Sequence, residues 1–114
     1  MNEDVKRVIQ EYVPGKQVTL AHIIVNPDNS LYKKLGLAEN RNSIGILTIT
    51  PSEAAIIAAD VAVKSGDVEI GYVDRFNGSL VIEGDVASVE ASISEVLKTL
   101  SMLQGMSIPT VTRS

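Results

Sequence analysis

The chain carries few side chains that could do chemistry, and the first of them is its one histidine, His22. An imidazole can act as a general acid or base near neutral pH and can bind metal ions. His22 lies in a run with strand character, in which alternation groups it with Val18, Leu20 and Ile24 on an apolar face. Because no partner stands nearby at ligand spacing, the pattern favours a structural histidine, hydrogen-bonded inside the protein or at a subunit contact.

Three carboxylates, those of Asp74, Glu83 and Asp85, could support general acid–base chemistry. Structural roles explain two of them, since Glu83 alternates outward on a strand and Asp85 stands where a carboxylate caps a helix. The serines have no second histidine from which a catalytic triad could be built, and no G-x-S-x-G motif or phosphate-cradling glycine loop occurs. We therefore predict no catalytic residue, no cofactor and no metal ion.

The composition of the 114 residues, 45% hydrophobic and 21% charged, is typical of one globular domain with a modest core. The net charge is −4 without a basic stripe, which argues against nucleic acid and against an anionic membrane surface as partners. Cysteine is absent, and no apolar run approaches the ~18 residues of a membrane span. No signal peptide is recognisable at the start, so a reducing cytoplasm is compatible with the sequence.

The most informative segment is an almost wholly apolar helix predicted over 51–65, directly after a strand over 43–50. In its central stretch only Asp60 and Lys64 are polar, and their i, i+4 spacing favours an ion pair. A helix that is apolar nearly all round must be covered on more than one side. In so short a chain, we expect another subunit to supply that cover.

Local signals mark the ends of several elements. Thr50, Pro51 and Glu53 match a capping box with proline in the first helical position, which predicts the start of the apolar helix. The dipeptide Asn77-Gly78 predicts a tight hairpin, because both residue types tolerate positive φ. Asp85 is the predicted N-cap of the last helix.

The remaining periodic segments predict strands over 17–25, 68–74 and 79–83 and helices over 30–35 and 86–103. The simplest way to pack strands and helices that follow one another in this order is an antiparallel sheet with two helices on one face. It is an α+β, ferredoxin-like fold with its final strand placed first. We interpret 1–13, which fits either strand or helix, as an appendage, and the tail after Gly105 as short and polar.

The last helix has an ordinary amphipathic pattern and needs one partner surface. Its apolar stripe comprises Val86, Val89, Ile93, Val96, Leu97, Leu100 and Leu103. Its opposite face comprises Ser88, Glu90, Ser92, Glu95, Lys98 and Thr99.

Several stretches resemble the bacterial microcompartment shell domain. Residues 44–48 and 53–72, from the second strand through the apolar helix to the next strand, carry the similarity, as do residues 84–89 at the start of the last helix. Residues 9–22 resemble the circularly permuted single-domain shell proteins of ethanolamine-, propanediol- and choline-utilisation compartments. Together these stretches span nearly the whole chain, and permutation would move a final strand to the front.

The resemblance implies a permuted shell domain over 15–114, preceded by a β segment within 1–14. It implies a structural protein rather than an enzyme, forming a cyclic homohexamer that packs edge to edge with other shell proteins. The resulting shell would surround metabolic enzymes, as further partners, in a bacterial microcompartment in the cytoplasm.

The resemblance also assigns the loop that lines the central pore of the family to Arg75, Phe76, Asn77 and Gly78. Unpermuted members carry a Lys-x-Gly-x-Gly type loop here, and the bulky Arg-Phe tip argues against an open pore for small metabolites. From the residues alone, Phe76 could equally tuck back onto the core of an ordinary surface loop.

Two further sites follow from the resemblance. In permuted relatives the N-terminal segment can form a six-stranded barrel on the axis, which here would use Val8, Ile9, Gln10, Glu11, Tyr12 and Val13. The lysine at the tiling edge of the family corresponds to Lys64, although its companion arginine has no counterpart at 26–28. The alternative interpretation of Lys64 is a solvated lysine paired with Asp60.

Two other classes of function stay open at this point. The first is an oligomeric small-molecule-binding regulatory domain of ferredoxin-like fold, which would need phosphate-binding or carboxylate-binding loops that we do not find. The second is a small enzyme whose site at a subunit interface uses His22.

Overall fold

The computed structural model describes residues 16–37 and 42–114, which form five strands and three helices. The strands are β1 (Gln17–Val25), β2 (Ser43–Thr50), β3 (Glu69–Asp74), β4 (Ser79–Gly84) and β5 (Thr112–Arg113). The helices are α1 (Asn29–Leu35), α2 (Ala54–Ser65) and α3 (Val86–Gln104). The β segment predicted at 8–13 lies outside the described residues.

All five strands belong to one sheet in the order β3-β4-β2-β1-β5. The four longer strands pair antiparallel, with Ile46 of the central strand β2 between His22 of β1 and Val81 of β4. Their β-branched residues suit this pleated, half-buried setting. The predicted α+β class is confirmed, and so is the antiparallel pairing of these four strands.

The C-terminal tail differs from the prediction, because it supplies a fifth strand. Thr112 and Arg113 pair in parallel with His22 and Ile23, which makes the sheet mixed. The amide of Val25 donates to the carbonyl of Ser114 at 2.8 Å, and the amide of Ser114 donates to the carbonyl of Ile23 at 2.9 Å. These bonds satisfy polar groups on the outer edge of β1. A strand of two residues is too short to leave a periodic signal in the sequence.

Helices α2 and α3 cover one face of the sheet, as the ferredoxin-like arrangement requires. The sheet contributes buried side chains from three strands to this core, namely Val18, Ala21, Ile23, Leu47, Ile49, Leu80 and Ile82. Gly45 lets α3 approach β2 closely, since a Cβ there would lie 2.9 Å from side-chain atoms of Val89 and Ile93. Removing these apolar surfaces from water is the main driving force for the fold.

A buried hydroxyl joins the two helices. Ser92 of α3 is fully buried, and its Oγ donates to the carbonyl of Ala62 in α2 at 3.0 Å. The prediction that Ser92 lies on the solvent face was wrong, because α2 packs against that side of α3 as well as the sheet does. Gly66, just after α2, leaves room for this contact, since a Cβ there would lie 2.4 Å from the Ser92 hydroxyl.

The opposite face of the sheet carries a smaller core around α1, built from Tyr32, Leu37 and Ile44. Glu83 points to this face, opposite Ile44, and is buried. The prediction that Glu83 alternates outward into solvent was therefore wrong. Strand alternation was read correctly, but the sequence did not show that this second face is also covered.

Two predictions about helix ends were also wrong. Thr50 stays in β2 opposite Gln17, and α2 begins at Ala54 after i→i−3 turns, so the expected capping box does not form. Leu103 is 74% exposed instead of lying in the apolar stripe of α3. The helix ends at Gly105 in the left-handed conformation, and Met106 enters the core in its place. The predicted cap of α3 is confirmed, because Asp85 accepts a hydrogen bond from the amide of Ser88 at 2.8 Å.

Candidate functional site

The outer surface of α2 is apolar, although it faces away from the core of the chain. Ile56, Ile57 and Val63 are 51%, 41% and 42% exposed, respectively. The buried positions of the same helix are all alanines, namely Ala54, Ala55, Ala58, Ala59 and Ala62. Large apolar side chains on a contiguous outer face indicate a contact surface. The chain by itself therefore leaves α2 partly uncovered, as the sequence indicated.

One ion pair lies on this outer surface. The Nζ of Lys64 is 2.8 Å from Oδ2 of Asp60, and both side chains are more than half exposed. The predicted i, i+4 pair is therefore confirmed. Such an exposed pair stabilises a helix by only a few tenths of a kcal/mol, so Lys64 remains available for other contacts.

The hairpin between β3 and β4 is organised by Asp74. Its Oδ1 accepts hydrogen bonds from the amides of Phe76 at 2.7 Å and Asn77 at 3.1 Å. Its Oδ2 accepts from the side-chain amide of Asn77 at 2.9 Å and from the Tyr72 hydroxyl at 3.0 Å. The sequence analysis considered Asp74 for acid–base chemistry, whereas this geometry makes it the residue that shapes the tip. Aspartate at the first position of a turn was an available signal for this role.

The charge state of Asp74 follows from these bonds. The backbone amides of Phe76 and Asn77 lower the pKa of the Asp74 carboxyl, because they stabilise its ionised form. The same carboxylate raises the pKa of Tyr72, whose hydroxyl donates to it. Asp74 therefore stays ionised at neutral pH and is committed to the turn.

Gly78 closes the turn and joins it to the central sheet. Its amide donates to the carbonyl of Asp74 at 2.8 Å, and its carbonyl accepts from the amide of Ile49 at 2.8 Å. A Cβ at Gly78 would lie 2.0 Å from the carbonyl oxygen of Ile49, and its φ is +76°. Glycine is required here for both reasons. Asn77, by contrast, does not have the positive φ that the dipeptide pattern predicted.

The tip of the hairpin presents Arg75 and Phe76 to solvent. Phe76 is 78% exposed, so it does not tuck back onto the core of its own chain. The guanidinium carbon of Arg75 lies 5.0 Å from the centre of the Phe76 ring, within the range of a cation–π contact. A cleft of about 480 Å³ runs from this tip along Val73 to Ile56, which connects the tip with the outer face of α2.

His22 contributes to structure rather than to a reactive site. Its Nδ1 lies 2.6 Å from the Thr112 hydroxyl and its Nε2 lies 2.7 Å from the Ser114 hydroxyl, so the ring holds the tail strand. A bulge between Val18 and Leu20 shifts the alternation of β1, which places Val18 in the core and His22 on the other face. The prediction that Val18 shares a face with His22 was therefore wrong, whereas Leu20 and Ile24 lie on the same face as His22, as predicted. Hydrogen bonding of the ring agrees with the predicted structural role.

A second apolar surface was missed by the sequence analysis. It is a cleft of about 540 Å³ between α3 and the tail, and its walls include Leu97, Met102, Ile108 and Val111. No pattern in the sequence indicates this cleft, because it exists only once the tail lies beside β1.

Within the described ranges 16–37 and 42–114, no cluster of three or more histidine, cysteine or carboxylate side chains could hold a metal ion. The described helices also include none that is long and apolar enough to cross a membrane.

Comparison with known proteins identifies relatives over the whole fold. The family model of the BMC domain matches residues 43–111. The bacterial microcompartment shell protein PduU of Salmonella typhimurium is 57% identical over 108 residues, covering 95% of this chain and 93% of PduU. EutS of Escherichia coli, a shell protein too, is 49% identical over 111 residues, covering 97% of this chain and 99% of EutS. A solved flat hexamer of CutR matches with a TM-score of 0.83 and 44% identity, covering 90% of this chain and 94% of that one.

The outward apolar face of α2 and the exposed hairpin tip define a small α+β chain with a surface for contact with other protein chains. The chain belongs to the BMC-domain family of bacterial microcompartment shell proteins. The structural match confirms the ferredoxin-like shell fold, and a fused permuted hexameric shell protein at 21% identity shares that fold. These relatives favour a shell subunit over the regulatory-domain alternative.

Proposed function

We propose that the chain forms cyclic hexamers that tile edge to edge with other shell proteins. The observation that carries the proposal is the outward face of α2, where Ile56, Ile57 and Val63 remain exposed on the single chain. When a different surface of a neighbouring copy covers such a face, the contact is head-to-tail and can close into a ring. The CutR relative solved as a hexamer supports six as the number of copies.

The proposed role is purely structural, without enzymatic activity. The names of the relatives indicate a structural role in a microcompartment. We place that compartment in the bacterial cytoplasm, with metabolic enzymes enclosed by the shell as further partners. The clustering of the described polar groups into turns, caps and one ion pair, rather than into a reactive site, supports this view.

Three sites are part of the proposal, within a shell domain over 15–114 that follows a separate segment 1–14. The tip 75–78 lines the central axis, supported by its exposure and by the bonds that Asp74 makes to it. The segment 8–13 adds one strand per chain to a barrel on that axis. Lys64 contacts a neighbouring hexamer at the tiling edge, supported by its exposure beside the apolar face of α2.

The test of the hexamer is a double substitution on the outer face, Ile56→Ser with Ile57→Ser. Light scattering should show a hexamer for the unchanged protein and smaller species for the double variant, since each lost isoleucine removes roughly 1–2 kcal/mol of apolar burial per contact. The matched control is Ala87→Ser with Ala91→Ser on the exposed side of α3, which should stay hexameric. A stable monomer of the unchanged protein at micromolar concentration would refute the proposal.

A further inference from the structure

The hairpin tip contains Asn77-Gly78, the one place in the chain where an asparagine precedes a glycine. We propose that Asn77 is a site of spontaneous deamidation and that the hydrogen bonds of the Asp74 turn set the rate of this reaction. All the groups concerned belong to a single chain. The inference therefore goes beyond the proposed function and does not depend on the hexamer.

The reaction joins the backbone nitrogen of Gly78 to the side-chain carbonyl carbon of Asn77. Hydroxide removes the amide proton of Gly78, and the nitrogen attacks Cγ of Asn77 to close a succinimide ring. The bond from Cγ to Nδ2 breaks, and Nδ2 leaves as ammonia with a proton from water, which restores the hydroxide. A second water then opens the ring and leaves aspartate or isoaspartate in place of asparagine. Glycine favours the attack because it has no Cβ to obstruct it.

The nitrogen that must attack is held inside the turn. Asn77 is exposed to solvent, whereas Gly78 is buried. The amide of Gly78 donates to the carbonyl of Asp74 at 2.8 Å, so the proton that hydroxide must remove is engaged in a hydrogen bond. The carbonyl of Gly78 accepts from the amide of Ile49 at 2.8 Å, which fixes the glycine against β2.

The side chain that must be attacked is held by the Asp74 carboxylate. Nδ2 of Asn77 donates to Oδ2 of Asp74 at 2.9 Å, and the amide of Asn77 donates to Oδ1 at 3.1 Å. The negative charge of Asp74 also opposes the anionic nitrogen and the oxyanion that the attack creates. Deamidation must therefore wait until the turn opens, and its rate in the folded chain is set by the fraction of open turns.

The product would weaken the turn that delays its formation. Aspartate at position 77 would place a second carboxylate where Nδ2 now donates to Asp74, so that like-charge repulsion replaces a hydrogen bond. Isoaspartate would also add a methylene to the main chain just before Gly78. That insertion would disturb the bonds of Gly78 to Asp74 and Ile49. The modified tip would carry one more negative charge per chain.

The experiment incubates the intact protein in mildly alkaline buffer and follows the peptide containing residue 77 by mass spectrometry, with released ammonia measured in parallel. We expect conversion to be slower by about tenfold or more in the folded protein than in the same chain in urea, because opening the turn breaks several bonds to a charged acceptor. Asp74→Ala should raise the folded-state rate by about tenfold or more for the same reason. Asp74→Asn, which keeps the shape of the side chain, should raise it by less. Asn77→Gln should stop the conversion at this position.

The matched control is Asp60→Ala, which removes an exposed carboxylate from α2 and leaves the turn intact. It should deamidate at the rate of the unchanged protein. Absence of conversion at residue 77 in urea would overturn the site. Equal rates in the folded and urea-treated chains would overturn the role of the turn, and so would unchanged rates in both Asp74 variants.

A second control separates the turn from the proposed hexamer. The double variant Ile56→Ser with Ile57→Ser keeps Asp74 and should deamidate as slowly as the unchanged protein, even where light scattering shows that it has dissociated. A rate as fast as that of Asp74→Ala would mean that neighbouring chains protect Asn77, which would overturn the inference. A monomeric state of the unchanged protein would refute the proposed function and leave this inference in place.

Discussion

Helices α2 and α3 lie side by side on the same face of the sheet, yet they bury opposite kinds of residue. The buried positions of α3 include Val89, Ile93, Val96, Leu97 and Leu100. The buried positions of α2 are five alanines. The large apolar side chains of α2 point outward instead.

This contrast separates residues that stabilise the fold of the chain from residues that, in the proposed hexamer, would contact another chain. A helix stabilising only its own domain would place its largest apolar side chains in the core, since burial free energy grows with apolar area. In α2 the small residues face inward and allow close approach to α3, as the bond from Ser92 to Ala62 shows. The isoleucines of α2 are therefore exposed on the single chain, where the proposed neighbouring subunit would cover them, whereas α3 supplies the internal core.

The largest effect on the stability of the chain should come from α3. Ile93→Ala removes a fully buried side chain and leaves a cavity, which should lower the free energy of unfolding by about 2–5 kcal/mol in urea titrations. Ser94→Ala, at the exposed neighbouring position, is the control and should have little effect. A small loss for Ile93→Ala would show that α3 does not supply the core as described.

The second effect tests whether the alanines of α2 are needed for close packing. Ala58→Leu introduces a large side chain at a fully buried position and should cost about 1–3 kcal/mol of unfolding free energy. Ala91→Leu, on the exposed side of α3, should change it by less than about 0.5 kcal/mol. If the two variants are equally stable, the inner side of α2 is not tightly packed.

The third effect concerns assembly more than stability. Lys64→Ala removes the pair with Asp60 and should cost only about 0.2–0.5 kcal/mol in unfolding. The hexamer should persist by light scattering, while sheets or tubes seen by electron microscopy should become rarer. Lys98→Ala on α3 is the comparison variant. Unchanged sheets for Lys64→Ala would mean that this lysine is only a solvated helix residue.

The smallest effect is at the hairpin tip and depends on pH. The folded-state pKa of Asp74 is lowered below its ordinary value of 3.8, so its stabilisation of the turn is present above that pH and is lost as the pH falls through the lowered pKa. The NMR shifts of the Phe76 and Asn77 amides should therefore titrate below pH 3.8. Asp74→Asn should abolish this titration, and a midpoint above that pH would contradict the assigned bonds.

Much of the fold and part of the candidate site could be predicted from local patterns. Asp85 caps α3, Asp60 pairs with Lys64, and the hairpin tip falls where Asn77-Gly78 indicated. The role of Asp74 could have been predicted from turn chemistry, but the exposure of Phe76 could not, because it depends on what the folded chain offers nearby.

By itself the sequence determined the order of the elements, the two-helix face and the apolar excess of α2, because each depends on residues a few positions apart. Only the tertiary structure decided the burial of Glu83 and Ser92, the shift of His22 by the bulge in β1, and the strand made by the tail. Those features arise from contacts between residues far apart in the chain, as between His22 and Thr112. Local periodicity carries no record of such contacts, since it reports which face a residue occupies and not what covers that face.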